Sequence, residues 1–144
     1  MATITSPAID DATQVADFTR DWVHAWNSRD GDAVAALCAE DLVFDEPALG
    51  GTAHGRRPIA DFVNNMARAF PDYTFTLEGH YAELTRPAAL VAWSFTGTLA
   101  GTQNIVRFHG DDRLEFRSDG LIAAYRCLYD DRDLQRQIRT ARTA

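Results

Sequence analysis

Two acidic side chains stand where their neighbours call for apolar ones. In "IVRFHGDDRLEFR", Ile105 to Arg117, residues alternate as a β-strand does. Val106, Phe108, Leu114 and Phe116 share one face; Arg107, His109, Asp111, Arg113, Glu115 and Arg117 share the other. That count puts Asp112 on the apolar face, between Phe108 and Leu114. In the shorter run "LVFDEP", Leu42, Phe44 and Glu46 share a face, so Glu46 follows Phe44 inward just before Pro47. Acids are almost never fully buried unless paired. Burying a polar group without a partner costs roughly 1–3 kcal/mol. Each residue has two open readings. Asp112 turns outward if Gly110 marks a bulge, and Glu46, at its strand's end, can bend into solvent. If both face one apolar pocket, desolvation and mutual repulsion raise their pKa values and separate their protonation states. One carboxyl then stays protonated and donates a hydrogen bond, while the other ionises and moves a proton. That is a general base with an oxyanion stabiliser, the minimum for enolisation beside a carbonyl.

Other chemistries find less support. His24, His54, His80 and His109 are scattered, with no HxxxH or HxH spacing, so no metal is expected. "GGTAHG" lacks the Lys-Ser/Thr that completes a phosphate loop. No nucleophilic triad is arguable and no cofactor is expected. Cys38 and Cys127 form no CxxC pair and read as reduced and buried, in a cytoplasmic protein. The net charge of −7 argues against nucleic acid and anionic membrane surfaces, which need a basic patch. "MATITSPAIDDATQ" has no basic n-region and no apolar h-region, and no apolar run approaches the ~18 residues of a membrane helix.

The elements that must position the two acids divide the chain in halves. "SPAIDDATQVADFTRDWVHAWNSRDG" reads as a helix starting at Ser6–Pro7 or nearer Asp10. Val15, Phe18, Trp22 and Ala25/Trp26 form its apolar stripe, His24 faces solvent, and Gly31 ends or interrupts it. "DAVAALCAED" predicts a short helix burying Val34, Leu37 and Cys38; Leu42–Glu46 predicts a short strand, followed by a Gly-rich loop. "RRPIADFVNNMARAF" predicts a third helix with Ile59, Phe62, Val63 and Met66 on one face. Four strand-like runs follow, Tyr73–Leu84, Ala88–Leu99, Ile105–Arg117 and Leu121–Tyr129, joined by turns short enough for an antiparallel meander. "DDRDLQRQIRTA" closes with a helix, opened by Asp130 and Asp131. Helices followed by strands predict an α+β fold: one domain, residues 1–144, with helices packed on a curved, mainly antiparallel sheet around an internal pocket. Trp26, Phe44, Phe62, Val63, Met66, Trp93, Phe108 and Tyr125 are the expected pocket lining, suited to a small hydrophobic substrate.

"WNSRDGDAVAALCAEDLVFDEPALGGTAHGRRPIADFV" and "FRSDGLIAAYRCLYDDRDLQRQI" resemble the opening and the ending of the cone-shaped superfamily that includes nuclear transport factor 2. Its members include ketosteroid isomerase, SnoaL-type polyketide cyclases, limonene epoxide hydrolase and scytalone dehydratase. The resemblance implies the cone fold and a homodimer through the open sheet face. Ketosteroid isomerase carries its base immediately before a Pro, where this chain has Glu46, and its protonated oxyanion-hole acid four residues before a Phe, where this chain has Asp112. The isomerase's helical Tyr donor is matched by Trp22, whose indole N–H donates but is no acid. SnoaL-type cyclases use one buried Asp as acid/base, a role open to Asp112. The epoxide hydrolase set of Asp–Arg–Asp finds no match in "VAWSF" and "YRCLYD". The resemblance thus implies a cofactor-independent isomerase or cyclase acting on a hydrophobic carbonyl compound, a polycyclic one among the options, with Glu46, Asp112 and Trp22 at its centre. Its competitor is a non-catalytic binder or dimerisation module of the same fold, with both acids in solvent or in a salt bridge such as Asp112–Arg113.

Overall fold

Helix α1 (Ala12–Asn27) and the sheet it lies on are tied at one residue. Asn27 ends the helix, and its side chain exchanges two hydrogen bonds with the Phe75 backbone, at 2.9 and 2.7 Å, completing the ladder of an edge strand. The computed structural model describes residues 12–83 and 85–144. The expected helix start at Ser6–Pro7 or Asp10 lies outside them.

The chain reverses after α1 through Arg29, a non-glycine residue at φ 60°. Its guanidinium donates to the Tyr73 carbonyl at 2.7 and 3.1 Å, offsetting part of the left-handed strain. Asp30 then caps α2 (Gly31–Ala35) by accepting from Asp32 N–H at 3.0 Å. Gly31 therefore opens α2. A Cβ there would lie 2.2 Å from the Ala60 carbonyl oxygen, so only glycine lets α2 approach α3 (Arg56–Ala69) this closely.

Two local expectations are corrected. The second helix stops at Ala35, and Cys38, expected within it, is the first residue of β1 (Cys38–Glu46). Parallel pairing with β6 (Ile122–Tyr129), from Cys38↔Ile122 to Asp45↔Arg126, overrides the short helical period. The Gly-rich segment is also no plain loop. After a 3₁₀ turn, Pro47–Leu49, residues Gly51–His54 form β2, a four-residue edge strand antiparallel to β1.

The second half is the expected meander: β3 (Thr74–Ala82), β4 (Ala88–Thr98), β5 (Ile105–Phe116) and β6 pair antiparallel in succession. The sheet order is β2-β1-β6-β5-β4-β3, so β1 joins beside the last strand. Register breaks at Leu77/Gly79, Glu115/Phe116 and Cys38/Val43 add the twist that curves the sheet. Its concave face packs on α1 and α3, and α4 (Asp131–Thr143), capped by Asp130, crosses β5. The architecture is α+β, a cone with its apolar core and pocket between helices and sheet.

Gly110 is not a bulge. The β4–β5 register runs unbroken from Ala88↔Glu115 to Thr98↔Ile105. Gly110 lacks a side chain because Trp93 lies across it: a Cβ there would sit 2.6 Å from the indole ring and 2.5 Å from the Leu128 carbonyl oxygen. Alternation therefore holds through β5, and Asp112 faces inward.

Candidate active site

Asp112 and Glu46 are both in the interior, at 3% and 4% exposure. They line a cavity of about 250 Å³ whose walls come from every major element. Trp22 and Trp26 face it from α1, Phe62 and Met66 from α3, Trp93 from β4, Phe108 from β5, and Tyr125, Cys127 and Tyr129 from β6. Leu134 and Ile138 of α4 close the side nearest β5.

Each carboxyl has its own donors. Trp22 Nε1–H donates to Asp112 Oδ2 at 2.9 Å, and the Tyr125 hydroxyl donates to Oδ1 at 3.0 Å. Trp93 also presents its indole N–H toward Asp112, without closing a hydrogen bond. Glu46 ends β1 and caps the 3₁₀ turn: Ala48 N–H donates to Oε1 at 2.7 Å, and the Tyr129 hydroxyl donates to the same oxygen. Pro47, which stops the strand, thus turns the backbone so that Glu46 is held by the turn it initiates.

Burial pushes the Asp112 carboxyl up from its ordinary 3.8 to about 6, against hydrogen bonds led by that from Trp22. Burial also raises Glu46, against its bonds from Tyr129, Ala48 and Cys127, and the Asp112 charge raises it further. Burial and the two carboxyls hold the Cys127 thiol and Tyr125 hydroxyl well above their ordinary ranges, so both stay neutral. Tyr129 is raised for the same reasons. Two carboxyls, both raised above their ordinary values, therefore sit among neutral donors.

Of the residues expected to line the pocket, Trp26, Phe62, Met66, Trp93, Phe108 and Tyr125 do so. Phe44 and Val63 do not, and that expectation is corrected. Phe44, the register partner of Tyr125, stacks on it at 5.0 Å and meets Phe62 at 5.9 Å, wholly buried in the core. Val63 is wholly buried in the core. Trp22 is in the wall, but its one N–H is committed to Asp112. Arg113 points to the other face of β5 and pairs with Glu115 at 2.9 Å and Glu83 at 3.7 Å, not with Asp112. His24 and His109 are exposed, and His80 is not among the cavity residues.

Sequence reasoning assigned no role to Tyr129, Cys127 or α4. The signal was present in each case. Tyr125, Cys127 and Tyr129 alternate on the inward face of β6, and Leu134 and Ile138 stand four apart on α4. Among the described residues no His/Cys/Asp/Glu group of three or more could hold a metal ion, and no helix is long and apolar enough to cross a membrane.

Two polar groups in the wall are unsatisfied. Among the described residues, the indole N–H groups of Trp26 and Trp93 are buried and reach no acceptor. Each orphaned donor costs roughly 1–3 kcal/mol relative to a paired one.

A SnoaL-like domain model matches residues 19–125. No curated protein matches the chain. Among solved structures, a protein provisionally assigned as an isomerase from Bacillus subtilis superposes with TM-score 0.75 at 19% identity, covering 89% of this chain and 95% of that one. A protein of ketosteroid isomerase-like fold from Catenulispora acidiphila gives TM-score 0.74 at 18% identity, covering 84% and 91%. A protein provisionally assigned as a polyketide cyclase from Xanthomonas campestris pv. campestris gives 0.71 at 21%, covering 85% and 95%. At these identities the likeness is one of fold.

Proposed function

Because the chain belongs to the SnoaL-like domain family, we propose that it is a cofactor-independent isomerase or cyclase, working by enolisation or aldol-type chemistry on a hydrophobic, polycyclic carbonyl compound. One observation carries the reading: two carboxyls, each with its own hydrogen-bond donors, share one aromatic cavity. A structural core would gain nothing from such a pair, since each ionised carboxyl there costs stability.

Glu46 takes the α-proton of the bound carbonyl compound and returns it to another carbon, or leaves the carbanion to attack a second carbonyl. Its acceptor oxygens are kept in place by Ala48 N–H and the Tyr129 hydroxyl. Asp112, in its protonated form, donates to the enolate oxygen that develops. Such a donor in a dry site is commonly worth about 3 kcal/mol of barrier. Trp22 acts through Asp112: by donating to Oδ2 it leaves Oδ1, whose partner is the Tyr125 hydroxyl that can turn to accept, as the oxygen that carries the proton. The aromatic wall excludes water and stacks on a flat substrate.

The test uses naphthols of graded acidity, whose phenolates mimic a dienolate, read by tryptophan fluorescence. Wild type is expected to bind the more acidic naphthols more tightly, and Asp112→Asn to flatten that dependence. A folded Asp112→Asn protein with the same dependence rules out Asp112 as the oxyanion donor.

A further inference from the structure

We infer that the indole N–H groups of Trp26 and Trp93 are substrate-binding donors, and that the cavity takes a neutral, flat compound carrying two hydrogen-bond-accepting oxygens. The inference rests on the proposed reading that a hydrophobic carbonyl compound occupies this cavity, and adds what else the compound carries.

The three tryptophans of the wall are not equivalent. Trp22 spends its N–H on Asp112 at 2.9 Å. Trp26 and Trp93, at 4% and 5% exposure, reach no acceptor among the described residues. An indole N–H only donates; Trp26 has no acceptor there and Trp93 faces Asp112 without closing a bond, so an acceptor brought from outside satisfies both. The other strong hydrogen-bond donors of the inner wall are engaged: Tyr125 on Asp112 and Tyr129 on Glu46. A ligand therefore meets two open indole donors besides the protonated Asp112 of the proposed reading, and the acceptor already present is Glu46. An ionised Glu46 repels a ligand that arrives as an anion, except where the protonated Asp112 meets its negative oxygen. A cation would pair with Glu46 but leave both indoles unmatched. A hydrocarbon would also leave them unmatched. A neutral molecule with two carbonyl or ether oxygens satisfies both.

The placement of the donors constrains the molecule. Trp26 and Trp93 both pack edge-on against Phe75, with ring centroids 5.5 Å and 5.1 Å from it. Both indoles thus belong to the part of the cavity wall around Phe75, where one small ligand can meet both. Trp93 is the donor on the Asp112 side, so it takes the oxygen next to the reacting carbon. Trp26, which packs on Phe62, takes the other.

The test is calorimetric titration with tetralin, tetralone and chromanone, bicyclic molecules of one shape bearing no oxygen, one carbonyl, and a carbonyl with an ether oxygen across the ring. Affinity is expected to rise about threefold to tenfold at each added oxygen. Trp93→Phe and Trp26→Phe should each remove one step from the ratio of affinities among the three probes, whatever the smaller ring does to tetralin binding itself. In wild type, the indole N–H resonances of Trp26 and Trp93 should move downfield with the oxygenated ligands and not with tetralin, while that of Trp22 stays on Asp112. This readout needs no variant to fold. Equal affinity for all three probes, absence of binding, or unmoved Trp26 and Trp93 resonances overturns the inference. The naphthol response to Asp112→Asn is independent of these steps. If the steps appear and that response does not, the donors stand and the acid/base reading falls.

Discussion

Asp112→Asn should stabilise the protein at neutral pH, and by an amount that depends on pH in one direction only. The Asp112 carboxyl ionises at about 6 in the fold and at its ordinary 3.8 in the unfolded chain. A carboxyl raised by folding binds its proton more tightly in the native state. Its contribution is therefore intact below pH 3.8 and is lost as pH rises through about 6. That displacement, at about 1.4 kcal/mol for each pH unit, is about 3 kcal/mol. Asparagine has no charge to bury and can keep both contacts: its amide oxygen accepts from Trp22, and its NH₂ donates to the Tyr125 hydroxyl, which turns to accept. Removing the Asp112 charge also relieves Glu46, which adds in the same direction. Urea denaturation of both proteins across the pH range gives the measurement. The difference in unfolding free energy, variant minus wild type, should grow by about 2–3 kcal/mol between pH 4 and pH 7 and then level. A difference that is constant with pH, or that shrinks as pH rises, refutes the placement of an ionisable carboxyl in a dry cavity.

Tyr129→Phe removes a hydroxyl that favours ionised Glu46, so the Glu46 midpoint in a carboxyl-carbon NMR titration should move up, and an unmoved or lowered midpoint would contradict the contact. Gly110→Ala forces a methyl group to within 2.6 Å of the Trp93 ring; it should cost about 1–3 kcal/mol by denaturation and perturb Trp93 emission, and a neutral substitution would show that the ring does not lie across this position.

Strand alternation reached the two carboxyls because they depend on a local period. Asp112 is inward for the same reason as Phe108 and Leu114, and unbroken register through Gly110 keeps it so. Bounds of β3 to β6 and α4 were legible within two residues, since alternating faces and Asp130 as a cap are short-range signals. What failed was long-range. Cys38 became a strand residue because β1 pairs with β6, more than eighty residues away along the chain. β2 formed because β1 offered it an edge. Phe44 has the inward orientation that alternation assigned it, yet Tyr125, far along the chain, and Phe62, on another element, pack it into the core. Trp22 was singled out through a resemblance, but its hydrogen bond to Asp112 depends on how α1 crosses the sheet. Gly110 had two meanings in the sequence, a bulge or a space, and the ring filling it belongs to β4. Orientation within an element was readable; which neighbour covers a side chain was not.

The central claim, that Glu46 moves protons in this cavity, is tested most directly by α-proton exchange. Tetralone is incubated with the protein in deuterium oxide, and loss of its α-proton signals is followed by NMR. The account predicts that wild type accelerates exchange over buffer and that a well-folded Glu46→Gln protein does not. Equal exchange by the two proteins, or none above buffer by wild type, contradicts it.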